Sequence, residues 1–361
     1  MNPQYRPELD GLRALAILAV LGLHAGVPLF RGGGLGVDVF FVLSGYLITS
    51  ILLRERANLG SIGLKRFYLR RVLRLFPALF VLLACATAYA YFFQVNPERS
   101  ETYGFVLYTL FYVANWARSF GVSHPWLGHC WSLSVEEQFY LIWPPLLVLL
   151  TSKLSVRRTL IVTLGLILAV IVHRAWLWTG PLSFDRLYNG LDTRGDSLLI
   201  GCGLALLHAG GLRPANKFWA LACGALLALG VMFGHLLPVE LLLRYGGVTI
   251  IAAAAACVLS TVLVTPPAFL SLRPLVWVGK LSYSLYLWHL PAIHMVGWRA
   301  GWHEWQLIPL RLALSFVLAV VSYYFIELPF LELKNRRLAV PSRKEVNRDQ
   351  HDRAGDLKPV A

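Results

Sequence analysis

The sequence predicts an all-α protein: a polytopic membrane bundle of about ten transmembrane helices with one short re-entrant or interfacial segment. Three observations predict it. Of 361 residues, 57% are hydrophobic and only 14% charged, and the mean hydropathy is +0.61, a balance that no soluble domain needs. Apolar runs close to the ~20 residues that cross a hydrocarbon core as a helix recur from end to end. Lys and Arg gather in the segments that alternating crossings put on one side, leaving seven of the 33 in the loops of the other side. That is the positive-inside signature, and it accounts for the net charge of +14 without nucleic acid. Both termini are then expected in the cytoplasm.

Spans are expected at 12–30, 35–53, 72–94, 131–150, 159–178, 197–209, 217–236, 246–264, 276–297 and 307–326. The first, from Leu12 to Phe30, is longer than a signal-peptide core and lacks a small-residue cleavage site, so it is expected to remain in the mature protein. The glycines of RGGGLG after it lack the strand–loop–helix context of a phosphate loop and are read as a tight hairpin between two helices. Phe105 to Trp116 is apolar but short, and counting it as a span would move every later basic loop outward; it is the re-entrant or interfacial piece. The short, Gly-rich 197–209 predicts tight packing or a broken helix. Residues 1–333 form one membrane domain with no evident repeat, and 334–361 form a basic, solvated tail able to touch anionic lipid. The five cysteines have neither a disulfide framework nor metal-ligand spacing, and no metal is expected.

Ionisable side chains inside apolar helices cost several kcal/mol unless paired or wet, which makes them candidates for function. In the first helix Arg13 and His24 are eleven residues apart, within ~20° of one stripe and ~16 Å apart along the axis, with Asp10 near the same face. The bland alternative is a packing histidine and a snorkelling arginine. The next helix carries Asp38 near its outer start and Ser44 deeper in. Lys65, Arg66, Arg70, Arg71 and Arg74 gather before the third span; topology alone explains some of this charge, but closely spaced guanidinium forks suit a polyphosphate. HPWLGHCWSLSVEEQ places His124, His129, Trp131, Ser134, Glu136 and Glu137 at the outer mouth of the fourth span. There a helix cap by Ser132 or Ser134, with the acids favoured by the helix dipole, is an equal alternative to function. Arg194, Asp196, His289 and Glu327 complete the candidates. For His289 the bland reading is a hydrogen bond to a Tyr or Ser of another helix, and for Glu327 an interfacial anchor.

These segments occur in the order LDGLRALAIL, GVDVFFVLSGYLIT, FYLRRVLRLFP, WSLSVEEQFYLIWP, TRGDSLLIG, SYSLYLWHLP and FIELP. Together they resemble the acyltransferase-3 family of integral membrane acyltransferases over Arg6 to about Pro329. The resemblance implies a bacterial inner-membrane, multi-pass O-acyltransferase. It would move an acyl group, acetyl by preference, from acyl-CoA as co-substrate, with no permanently bound cofactor, to a hydroxyl of a saccharide or glycosylated acceptor of the exopolysaccharide or lipopolysaccharide type. It implies essential roles for His24 and Arg13, a link of Arg70 and Arg71 to acyl-CoA, and a role for Glu327. Many relatives add a C-terminal esterase-like domain; this sequence ends soon after the last span, so such a partner is expected to be a separate protein or absent.

The chemistry expected has three parts. Arg70, Arg71 and Arg74 hold the coenzyme phosphates while the pantetheine arm follows the polar stripe. His24 acts as base or is itself acylated, and Asp10 and Arg13 orient the arm or an inner-face polar network. Asp38 fixes the tautomer of His24, while Ser44, Trp131, Glu136, Arg194, Asp196, His289 and Glu327 support the site or face the acceptor. The competing class is a secondary transporter or flippase of a glycolipid precursor, which a bundle with buried charges also suits. The sequence does not fix the oligomeric state.

Overall fold

The computed structural model describes residues 5–178, 184–236, 243, 246–297 and 302–338, and every regular element among them is helical. In chain order the helices are α1 Pro7–Ala25, α2 Leu35–Leu59, α3 Leu64–Phe93, α4 Glu98–Leu110, α5 Ala114–Ser119, α6 Cys130–Lys153, α7 Val156–Trp178 and α8 Phe184–Asn189. They continue as α9 Leu191–Ala209, α10 Lys217–Phe233, α11 Gly247–Val264, α12 Arg273–Lys280, α13 Ser282–Val296, α14 Glu304–Ser322 and α15 Leu328–Arg337. A π-helical turn, Tyr323–Glu327, joins α14 to α15, so that Glu304–Arg336 runs as one long helix.

Among the described residues six helices are long and apolar enough to cross a membrane: α2, α3, α6, α7, α11 and the α14–α15 rod. The other four expected spans fall on helices that miss one criterion each. α1 and α9 carry three charges apiece, Glu8, Asp10 and Arg13 in one and Asp192, Arg194 and Asp196 in the other. α10 has 17 residues and α13 has 15, and at 1.5 Å per residue α13 reaches ~22 Å against a core of ~30 Å. The expected span 276–297 is also divided, because the chain turns at Leu281 between α12 and α13. The Phe105–Trp116 stretch is no single span: it is broken after Leu110, where Tyr112 takes a left-handed conformation (φ 53°) before α5 starts. Of the expected tail, Lys334 to Arg337 continue helix α15, and 339–361 lie outside the described residues.

The helix pair that positions the site is α2 against α9. A Cβ on Gly45 would sit 1.9 Å from the Leu198 carbonyl oxygen, and one on Gly201 would sit 2.1 Å from that of Val42, so each helix uses a glycine to admit the other's backbone. The Gly-rich segment therefore means tight packing, and α9 is unbroken. The RGGG hairpin is likewise structural: the Gly32 amide donates to the Val231 carbonyl (2.8 Å), tying the α1–α2 turn to α10. Ile17, Phe41, Leu52, Val135, Trp143, Leu198 and Leu285 form the main apolar core between α1, α2, α6, α9 and α13. Two buried ion pairs cross it at the end where α2 and α9 begin. Arg194 donates to Asp38 (2.8 Å), and Arg174 of α7 donates to Asp196 (2.9 Å), which also accepts from Thr249 of α11.

Candidate active site

A cavity of about 240 Å³ lies between α1, α2, α3, α6 and α13. Arg13, Arg71 and Arg74 line its cationic end, Ser44, Glu136, Glu137 and Tyr140 its flank, and Tyr112, Ser132, Ser282, Tyr283 and Tyr286 the rest of its polar wall. α3 begins eight residues before the expected span, since LKRFYLRR contains no breaker. The basic cluster is thus helical, and its register chooses which arginines enter. Arg71 and Arg74, three apart, face the cavity; Arg70 is not on its wall and lies within electrostatic reach of Glu55 and Arg66. Of the three arginines expected to act together, Arg71 and Arg74 line the cavity and Arg70 does not, while Arg13 of α1 does.

The acids of WSLSVEE serve this cavity and not a helix cap. α6 starts at Cys130 with no side-chain cap, so Glu136 and Glu137 lie more than a turn inside it. Glu137 accepts from Arg71 Nη2 (2.7 Å), whose guanidinium carbon also sits 3.7 Å from the Tyr140 ring centre. Glu136 accepts from Ser44 Oγ (2.7 Å), and Ser134 Oγ bonds back to the Cys130 carbonyl. Arg74 makes no hydrogen bond or ion pair among the described residues, although Arg13, Arg71 and Glu327 are within electrostatic reach. Arg13 has only a 3.9 Å contact with Asp10. Asp10 is off the cavity wall and accepts from Tyr5 Oη (2.7 Å). Glu327 is buried in the π-helical turn and accepts from Ser284 Oγ (2.9 Å), which is no exposed interfacial anchor.

His24, near the far end of α1, does not line the cavity. Between them stands Tyr286, whose hydroxyl donates to the His129 carbonyl (2.9 Å) and meets Ser132 Oγ. Behind Tyr286 three imidazoles meet: the ring centres of His129 and His289 are 4.9 Å apart, and those of His289 and His24 are 5.0 Å apart. A carbonyl can only accept, so the contact of His24 Nδ1 with the Val20 carbonyl (2.9 Å) places the proton on Nδ1 and leaves Nε2 with a free lone pair. The same logic makes His289 Nδ1 the donor to the Tyr286 carbonyl (2.7 Å). Its Nε2 is buried without a partner among the described residues, as is Nδ1 of His129. Among the described residues His289 thus makes no hydrogen bond to a Tyr or Ser side chain.

Asp38 is corrected as the residue that fixes the His24 tautomer. It accepts from Arg194 and Ser197 (3.1 Å), and the Val20 carbonyl orients the imidazole instead. Arg194 and Asp196 are likewise absorbed in the two buried ion pairs. Trp131 packs on Tyr188 (5.0 Å), over whose ring Arg194 also lies (4.9 Å). The cavity and the histidine cluster also contain Tyr140, Tyr283, Tyr286, Ser132, Glu137 and His129, to which the sequence assigns no part in the chemistry. One signal was available: Tyr283, Tyr286 and His289 recur every three residues in SYSLYLWHL, on one face of α13.

Most of these motifs meet at one cavity and one histidine cluster, while TRGDSLLIG supplies the buried ion pairs, and the set agrees with the sequence comparisons. The family model described as an acyltransferase domain, that of the acyltransferase-3 family, matches residues 6–327. The chain belongs to this acyltransferase family. Among curated relatives it is similar to the peptidoglycan O-acetyltransferase OatA of Listeria monocytogenes, 36% identical over 351 residues covering 90% of this chain and 56% of that protein. It is also similar to the putative peptidoglycan O-acetyltransferase YrhL of Bacillus subtilis, 36% identical over 90% of this chain and 55% of that protein. The O-acetyltransferase OatA of Staphylococcus aureus is 33% identical over 91% and 57%. The chain thus spans about half the length of the curated relatives it matches. No solved structure matches it. Family membership favours an acyltransferase over the transporter reading.

Proposed function

We propose that the chain is a multi-pass membrane O-acetyltransferase using acetyl-CoA, with coenzyme phosphates held by Arg13, Arg71 and Arg74 and a saccharide hydroxyl activated at His24. All ten expected helices cross the bilayer in this reading, with both termini and the arginine end of the cavity in the cytoplasm. The observation that carries it is the arrangement along α1: a cationic cavity at one end, a histidine with a free Nε2 lone pair near the other, and Tyr286 on the cavity wall with its ring against His289, which in turn meets His24. The acceptor oxygen attacks the thioester carbonyl, its proton passes to His24 Nε2, and the carbon–sulfur bond breaks to release the coenzyme thiolate, which takes up a proton. Transfer by way of an acetyl-histidine uses the same lone pair in two steps. His289 and His129 back His24, and movement of Tyr286 connects the cavity to them.

The relatives' names make peptidoglycan the first acceptor to test, ahead of exopolysaccharide or lipopolysaccharide. The purified full chain in lipid nanodiscs, given isotope-labelled acetyl-CoA and a soluble peptidoglycan fragment, is expected to add one labelled acetyl group, read by mass spectrometry. His24→Gln is expected to lose roughly 100-fold or more of this rate while unfolding at the wild-type temperature. Wild-type turnover in that variant removes His24 from the chemistry.

A further inference from the structure

A second cavity, of about 370 Å³, opens at the end of the bundle where α1 starts and α2, α9 and α11 finish. It is distinct from the candidate active site. Ser50, Leu53, Arg54 and Ala57 of α2 face it, whereas Ser44, Leu47, Ile48 and Ile51 of the same helix face the first cavity. Three guanidinium groups, of Arg6, Arg54 and Arg213, lie on its wall and no carboxylate does. Arg6 is already engaged: Nε donates to Glu8 (2.6 Å) and Nη2 to the Leu263 carbonyl (2.7 Å). Arg54 and Arg213 are exposed and make no hydrogen bond or ion pair among the described residues.

The wall that carries Arg213 is built by a chain of hydrogen bonds with one possible direction. Ser260 Oγ donates to the Pro214 carbonyl, which can only accept. His208 Nε2 must then donate to Ser260 Oγ (3.1 Å), and its Nδ1 must accept from Tyr46 Oη (3.2 Å). The chain links α2, α9 and α11 and fastens the backbone next to Arg213. The remaining wall is apolar, with Ala205, Leu263 and Val264. Two unspent guanidinium forks beside apolar surface suit a phosphate whose bearer also has an apolar part.

We propose that this cavity binds a phosphate ester, held by Arg54 and Arg213. Basic pockets between membrane helices take anionic lipid headgroups by the same chemistry, and a soluble phosphate is the other source. The reading does not depend on acyl transfer.

The test uses the full chain in nanodiscs, wild type against Arg54→Gln/Arg213→Gln, with matching unfolding temperatures as the folding control. In one arm, native mass spectrometry reads retention of phosphatidylglycerol against phosphatidylcholine. In the other, titration with inorganic phosphate in neutral-lipid discs reads binding by a soluble anion. The wild type is expected to bind, and the double variant to bind roughly tenfold more weakly or worse. A preference confined to the lipid arm assigns the site to a headgroup, and binding confined to the phosphate arm assigns it to a soluble ester; both support the site. Equal binding by the double variant, or no binding by the wild type in either arm, overturns it.

Discussion

At the scale of single residues, three arginines four positions apart at most have different surroundings. Arg71 is held by Glu137 and covers the Tyr140 ring, Arg74 faces the cavity with no partner among the described residues, and Arg70 is off the wall. Arg74→Gln is therefore expected to raise KM for acetyl-CoA roughly tenfold or more, the scale of one lost charge-assisted contact, with unfolding unchanged. Arg70→Gln leaves KM as it was, and Arg71→Gln also lowers stability because Glu137 loses its partner in a buried wall. Steady-state kinetics beside thermal unfolding separates the three; a KM change at Arg70 as large as at Arg74 would contradict the assignment. The sequence showed that this cluster existed, but a one-residue question of register needed the start of α3. His24 and Arg13 were legible because charge inside an apolar run is costly wherever the helix lies. The partner of Asp38 was not legible, since it comes from 156 residues away.

At the scale of helices, apolar length located the long helices among the described residues, and the small residues of the 197–209 stretch announced close packing. What stayed hidden was which neighbour required it. The structure answers with the reciprocal Gly45–Gly201 crossing, which also aligns Asp38 with Arg194. Gly201→Val places its Cβ against backbone, so α2 and α9 must separate and the buried pair must stretch. A loss of several kcal/mol or failed assembly is expected, beyond the ~1–3 kcal/mol of ordinary overpacking. Gly203→Ala is the control, because its Cβ meets only Leu160 Cδ1 at 3.8 Å. Unfolding in detergent micelles should leave Gly203→Ala near wild type; equal behaviour of the two would mean that the crossing is looser than its geometry shows. The split of 276–297 was also unreadable, because Leu281 carries no breaker signal and α12 turns aside to lay Gly279 on the Asp10 backbone.

At the scale of the molecule, the contacts sort helix ends into two sets. Arg6, just before α1, reaches the Leu263 carbonyl near the end of α11, and Arg56 of α2 donates to Thr151 at the end of α6. At the opposite end Asp38 meets Arg194, and Arg311 of α14 reaches the Ala25 carbonyl at the close of α1. These contacts assign both ends of α1 and α2 and one end each of α6, α9, α11 and α14 without reference to hydropathy, and the assignment agrees with alternate passage of these helices through a bilayer. The coenzyme pool is cytoplasmic, so the proposed reaction requires the first set, with Arg13 and Arg71, to face inward. In a cysteine-free background, Ser100→Cys at the far end is expected to react with a membrane-impermeant maleimide on intact cells. Lys153→Cys, on the arginine end, is expected to react only after permeabilisation. The reverse pattern would turn the cationic cavity away from acetyl-CoA and end the proposed route through it, while labelling of both on intact cells would refute the crossing of α6.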